Sequence, residues 1–487
     1  MTRINTNVSS LLAQRVLVAQ NRGLVTSLER LSTGLRINRG SDDPAGLIAS
    51  ESLRSEKAAL SAAIGNAERA EQVVNVAEGG LQEINNLLVE LQSLIAGSAN
   101  EAGVSQAEKE ANQVQVDSIL QTIDRVANAT SFNGTKLLNG NFDYTTTPIP
   151  SSLQEVKVNA ARLSDAAGAT LAVTIDVTTS AQTGAVFLST GATLVNGNSG
   201  SITFEITGVE GVQQFTFASG TTQANIINAI NTFSDALGVS ASQDTTDANL
   251  VQIGSKKFGS AAFVRAKVLE GTTNTVIQDA AGTGFTDLKD LGRDAVVLIN
   301  GNQATTDGLE ARVATDGFDV TVSLDGSGAV NVNGGSAAFT ITGGGADFNL
   351  SPKVNLAGKV SLGISTVTTG NLGDAIDGFL NQLKAGGTAN VVNGDLTTAQ
   401  KIVDAAISQV SKLRGRLGAF QKNVVGATIS SLGITLENTA AAESTIRDTD
   451  FARETATLTR QQILSQAAGQ SLAIANALPQ NVLGLLG

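Results

Sequence analysis

Apolar residues recur near both ends of this chain at alternating spacings of three and four. Leu17, Leu24, Leu28, Leu31 and Leu35 follow that spacing once polar Asn21 is admitted between Leu17 and Leu24. Leu81, Ile84, Leu88, Leu91 and Ile95 follow it without a gap, as do Val116, Ile119, Ile123 and Val126. The longest run is Val403, Ala406, Val410, Leu413, Leu417, Phe420 and Val424. Two apolar positions in seven make a stripe narrower than the face of an ordinary globular helix, with the width of a coiled-coil seam. Such stripes at both ends of one chain predict a bundle of long helices; ordinary amphipathic helices in a globular fold are the alternative.

The middle alternates with period two. Leu171, Val173, Ile175 and Val177 form one such run, and Ile202, Phe204 and Ile206 another. Phe318, Val320, Val322 and Leu324 repeat it, as do Val360, Leu362 and Ile364. With Gly-rich punctuation this predicts half-buried strands joined by turns. One helix interrupts them, with Ile226, Ile230, Phe233 and Leu237 on one face and Gly238 as its stop. The predicted class is α+β and multidomain: terminal coiled-coil arms and a long-helix bundle, with a β-rich outer region inserted.

Two joints delimit the arms. At Asn38–Gly46, Gly40 permits a turn, Asp43 can cap and Pro44 suits a first helical position, so an N-terminal arm of about residues 4–37 precedes a second helix. Near the other end, the carboxylates of Asp448 and Asp450 suit the start of a last helix. Phe451, Leu458 and Leu472 lie at multiples of seven along it, and Pro479 is expected to end it.

Composition narrows the chemistry. Among 487 residues there is no Cys and no His, so disulfides, thiol nucleophiles, imidazole bases and zinc knuckles are excluded. No cofactor is expected. Lys plus Arg is 32 and Asp plus Glu is 44, a net charge of −12, which argues against nucleic-acid binding. No apolar run is long enough to insert in a membrane. The first ten residues lack the apolar core of a signal peptide, so export would need another route. Twelve of the 16 Phe lie between Phe187 and Phe379, which assigns aromatic cores to the middle and aliphatic seams to the ends. The acids Asp316, Asp319 and Asp325 are close enough in sequence to form a glycosidase-like pair, but they flank turns at Gly317 and Gly326, where solvated acids are common. Asp325-Gly326 lacks the spaced acids of a calcium loop.

Each arm is one helix with a narrow stripe, which gains little stability alone. Residues 1–40 hold six Arg against Glu29, a balance of 6 − 1 = +5, and the regular Leu stripe through them argues against a disordered basic tail. Two such arms favour pairing within the chain and then between chains. Unlike surfaces meeting between copies would give an open helical polymer.

Longer motifs sharpen this. Ile4–Asn7 (INTN), Leu31–Asn38 (LSTGLRIN), Ser41–Gly46 (SDDPAG), Glu83–Asn86 (EINN) and Phe132–Leu138 (FNGTKLL) resemble the start of bacterial flagellin. Glu443–Glu454 (ESTIRDTDFARE), Gln462–Ala467 (QILSQA) and Ala477–Leu486 (ALPQNVLGLL) resemble its end. Ile226–Phe233 and Gly238–Ser242 resemble a known flagellin insert. The resemblance implies a non-enzymatic, extracellular filament subunit. Residues 1–42 and 451–487 would be coiled-coil arms lining the filament core, 43–150 and 370–450 the inner wall, and 151–369 the outer domains. The implied partners are other copies of the chain, hook-associated junction and cap proteins, an export chaperone on the C-terminal arm and the flagellar secretion apparatus. Some flagellins resemble carriers of a zinc peptidase, but its H-E-x-x-H helix is impossible without His. An adhesin role for the outer region and a junction-protein role are the other readings.

The resemblance also points to immune recognition. Relatives detected by Toll-like receptor 5 present an Arg, a Leu one turn later and a Glu on the next helix. Aligned through Glu83–Asn86 and back from Ile123–Val126, those positions hold Glu90, Leu94 and Gln115, so two of the three are altered.

Overall fold

The computed structural model describes residues 6–100, 103–164, 168–189, 201–245, 247–270, 277–326 and 331–483, with side chains to residue 478. Ile4 and Asn5 of the first motif and residues 484–486 of the last lie outside the described residues. Eight α-helices are named here: α1 (Val8–Thr33), α2 (Pro44–Ser98), α3 (Gln106–Ala129), α4 (Gln223–Thr232), α5 (Ser234–Leu237), α6 (Leu396–Ala419), α7 (Ala427–Arg447) and α8 (Phe451–Leu483). The chain divides into two compact units, Met1–Glu71 with Asn349–Gly358 and Gln421–Gly487, and Gln72–Phe348 with Lys359–Phe420.

In the first unit α1 and α8 run antiparallel, because Ser10 meets Asn476, Asn21 meets Ser465 and Arg30 meets Glu454. The start of α2 and α7 also run antiparallel, joined by Arg447–Glu51 at 2.6 Å and by Lys57–Glu443. The Arg447 hydrogen bond holds the Glu51 carboxyl below the usual carboxylate range. Asp43 accepts from the Gly46 N–H at 2.9 Å as α2 begins at Pro44, and Asp450 accepts from the Ala452 and Arg453 N–H groups as α8 begins. Leu35 lies beyond the end of α1, where it bridges to Asp448, and the neighbouring Arg36 N–H donates to the Arg447 carbonyl at 2.7 Å.

In the second unit the remainder of α2 lies antiparallel to α6, with Arg414–Glu78 at 2.8 Å and Gln92–Asp404 at 2.6 Å. A capping box at Ser105 and Glu108 starts α3, whose Asn112 donates to Ser98 of α2 at 3.0 Å. Two antiparallel sheet pairs follow, each enclosing its own core. The first pair includes Tyr144–Thr146, Leu153–Ala161, Leu171–Thr179, Phe318–Leu324 and Gly335–Gly344, around Val173, Ile175, Val320, Val322 and Ile341. The second includes Ala185–Ser189, Ser201–Thr207, Val212–Ala218, Leu250–Ser255 and Phe263–Glu270, with α4 and α5, around Phe204, Ile206, Ile226 and Ile253. The second pair is an insertion into the first. The chain enters it at Gln182 and leaves it at Arg293, and these two residues exchange backbone hydrogen bonds of 2.8 and 2.9 Å.

Three expectations need correction. The helix expected over 226–237 is broken at Phe233, which is 41% exposed and meets Phe215 edge-on. Gly238 still ends the second piece, in the left-handed conformation (φ 70°) that glycine adopts without strain. The bundle seam does not reach Val424. Phe420–Gly426 is π-helical, which adds a residue to the turn, so Val425 is fully buried while Val424 is only half-buried. Finally, α8 continues past Pro479 to Leu483.

Candidate assembly surfaces on the helical arms

The seam between α1 and α8 is built from small and polar residues as much as from Leu. Ser10, Ala13, Leu17, Gln20, Leu24, Ser27 and Leu31 repeat at three–four spacing along α1, and Glu454, Leu458, Gln461, Ser465, Ala468, Leu472 and Ala475 do so along α8; all are buried or half-buried. Ser27, Ala468 and Ala475 are the deepest. Ser465 donates to Asn21 at 2.8 Å and Ser10 to Asn476 at 2.6 Å. Gly23 admits the Gln461 carboxamide so closely that a Cβ there would sit 3.0 Å from it. Polar pairs at fixed positions along a helix seam favour one register over others.

The sequence-derived positions therefore separate into groups. Leu17, Leu24 and Leu31 of α1, and Leu458 and Leu472 of α8, lie on the shared seam. Leu28 is 48% exposed and Phe451 58% exposed, so neither is on it. Seven-residue spacing placed Phe451 in line with Leu458, but Phe451 is the first helical residue, one turn before the seam starts at Glu454. Leu28 follows seam residue Ser27, and that one-residue offset turns it away from α8. Leu81, Ile84, Leu88, Leu91 and Ile95 of α2 and Leu413, Leu417 and Phe420 at the end of α6 are buried inside the second unit. Glu90 and Gln115 are exposed on α2 and α3, and Leu94 is half-buried.

Sequence reasoning missed the polar half of the arm seam and the outer faces of the arms. Val8, Leu11, Leu12, Val18 and Val25 of α1 and Ile463, Ile474 and Leu478 of α8 are each between 49% and 66% exposed. Counting every apolar residue of α1, and not only the Leu stripe, would have revealed this second face.

Nothing comparable points to catalysis. Asp316 pairs with Arg162 at 3.0 Å and Asp319 with Arg312 at 2.7 Å, so both acids are engaged in ion pairs. Among the described residues no group of three or more acids could hold a metal ion, and no helix is long and apolar enough to cross a membrane. The terminal helices pair with each other and leave apolar faces open, and the mid-chain strands form cores of their own.

Comparison with known proteins agrees. The bacterial flagellin N-terminal helical region matches residues 4–143, and the bacterial flagellin C-terminal helical region matches residues 400–486. The flagellin of Salmonella muenchen is 31% identical over 99% of each chain, and flagellin A of Helicobacter pylori 28% over 99% of each. Among solved structures, the flagellar junction protein FlgL of Legionella pneumophila is 14% identical, covers 82% of this chain and 99% of its own, and superposes with a TM-score of 0.27, too low to bear on fold or function. The chain belongs to the bacterial flagellins. It is a structural, non-enzymatic subunit that polymerises into the extracellular flagellar filament, the organelle of motility.

Proposed function

We propose that the apolar side chains left uncovered on α1 and α8 are the contacts through which neighbouring copies of this flagellin hold the filament core together. The observation that carries this reading is the outward face formed by Val8, Leu11, Val18 and Val25 with Ile463 and Ile474. Burying each such side chain contributes about 1.5–3 kcal/mol, a gain open to these helices only in an assembly. Unlike faces meeting between copies leave the polymer open and helical. The test is polymerisation of Val25→Asp and Ile474→Asp, followed by sedimentation. Both changes are expected to abolish pelleting while circular dichroism stays at the parent value. Filaments formed at the parent's concentration by either variant would refute the placement.

On this reading residues 1–42 and 451–487 line the core, 43–150 and 370–450 build the wall, and 151–369 project outward. Before export, a chaperone would shield α8, whose apolar face is otherwise open, and the chain would leave through the flagellar secretion apparatus. Junction and cap proteins would meet the two ends of the polymer. Glu90 and Gln115 would weaken recognition by Toll-like receptor 5, because an Arg and a Glu are missing where the receptor engages other flagellins.

A further inference from the structure

The carbonyl of Ala475 has lost its helical partner. In an α-helix the N–H of residue i+4 donates to carbonyl i, and for Ala475 that residue is Pro479, which has no N–H. The helix nonetheless continues to Leu483. The vacant acceptor is filled from the other arm: the Asn7 carboxamide Nδ2 donates to the Ala475 carbonyl at 2.7 Å. The other end of the same side chain caps α1, where Asn7 Oδ1 accepts from the Ser10 N–H at 3.0 Å. One residue thus satisfies an orphan donor of α1 and the orphan acceptor of α8. Ser10, one turn on, donates to Asn476 beside it.

We infer that Asn7 and Pro479 together set the register of the terminal arm pair, a role that in the filament rests on the core position proposed above for α1 and α8. Pro479 is the only proline in α8, so Ala475 is the only carbonyl deprived of its helical donor this way in the interior of that helix. A slip of one heptad toward the start of α8 would bring Asn7 to Ala468, whose carbonyl has the N–H of Leu472 as its regular helical partner. The clamp therefore rewards one alignment only, and the hydrogen bond of Ser465 to Asn21 and the seating of the Gln461 side chain against Gly23 fall into place at that alignment. Pro479 thereby acts as an address read by the N-cap residue of α1, rather than as a helix stop.

The absence of Cys makes a cross-linking test direct. Asn21→Cys with Ser465→Cys reports the observed register, and Gln14→Cys with Ser465→Cys reports the slip of one heptad toward the start of α8. Both are oxidised in assembled filaments of the full-length chain, and links within one chain are separated from links between chains by gel mobility. In the parent background the first pair is expected to close and the second to stay open. Asn7→Ala and Asn7→Asp should each lower the ratio of first to second link by about fivefold, the effect of one lost hydrogen bond. Asp matters because it keeps the cap on Ser10 but cannot donate to Ala475. Pro479→Ala returns the helical donor and should make Asn7→Asp silent in the double variant. A parent-like ratio for Asn7→Asp would reduce Asn7 to a cap and overturn the inference, as would additive effects of Asn7→Asp and Pro479→Ala. Failure of the first pair to close within a chain even in the parent would instead refute the arm pairing itself.

Discussion

The Tyr144 hydroxyl binds both backbone groups of Ala161: it accepts from the Ala161 N–H at 2.9 Å and donates to the Ala161 carbonyl at 3.1 Å. Tyr144 stands in the edge strand of the five-stranded sheet of the first pair, and Ala161 ends a strand of the opposing four-stranded sheet. One buried hydroxyl thus closes the edge of that pair. Tyr144→Phe would leave a donor and an acceptor unpaired, at a cost of about 1–3 kcal/mol. Thermal unfolding should show the loss.

The same hydroxyl gives a pH signature. Burial pushes the Tyr144 pKa from 10.0 up to about 12. The folded chain holds this proton more tightly than the unfolded chain, so the contribution is complete below pH 10.0 and is lost as pH rises toward about 12. Alkaline denaturation should therefore begin at lower stability but fall less steeply over that range in Tyr144→Phe than in the parent. Parallel curves would contradict the assignment.

Leu28 and Leu31 should behave differently despite being one turn apart. Leu31 lies on the seam between α1 and α8, whereas Leu28 is 48% exposed in the single chain. Leu31→Ala is expected to weaken the arm pair itself and to lower native-register cross-linking between α1 and α8. Leu28→Ala should leave that cross-link unchanged yet raise the critical concentration for polymerisation, since truncating a packed Leu costs about 2–5 kcal/mol and the proposed assembly would pack Leu28 between copies.

The inserted sheet pair should be dispensable for assembly. Its core, from Val186 to Ile277, shares no buried residue with the core of the first pair, although Phe258 packs against the latter. Joining Gln182 to Arg293 through a short linker should give a shorter chain that still folds and forms filaments, visible by electron microscopy. A wider deletion over 171–350 should fail, because it removes the partners of the Tyr144–Thr146 and Leu153–Ala161 strands.

Immune recognition gives a fifth test. Glu90 and Gln115 are exposed and free to meet a receptor, and losing one partner of a charge pair in an interface costs about 2–5 kcal/mol. A reporter-cell assay for Toll-like receptor 5 should find weak signalling by the parent and stronger signalling by Glu90→Arg/Gln115→Glu. Strong signalling by the parent, unimproved by the double change, would remove the idea.

The sequence made the regular parts legible for a simple reason. Leu81 through Ile95 and Leu171 through Val177 obey a single period because one face of each element is dry, and periodicity reports dryness. The arm seam obeys the same three–four period but places Ser10, Gln20, Ser27, Glu454, Gln461 and Ser465 on it, so an apolar count overlooks six of its fourteen members. Val424 gave way to Val425 because a π-helical turn is invisible to any fixed period. Pro479 reads as a stop in the sequence because the group that serves the orphaned Ala475 carbonyl, the Asn7 carboxamide, lies 468 residues from Ala475.

The central claim is that the terminal arms, and not the sheet domains, drive polymerisation. Sedimentation of chains lacking residues 1–37 or 451–487, under conditions where the full chain pellets, tests it most directly. The account predicts that both truncated chains stay in the supernatant as monomers, with the strand signal of the sheet domains unchanged by circular dichroism. Long filaments formed by either truncated chain would contradict it.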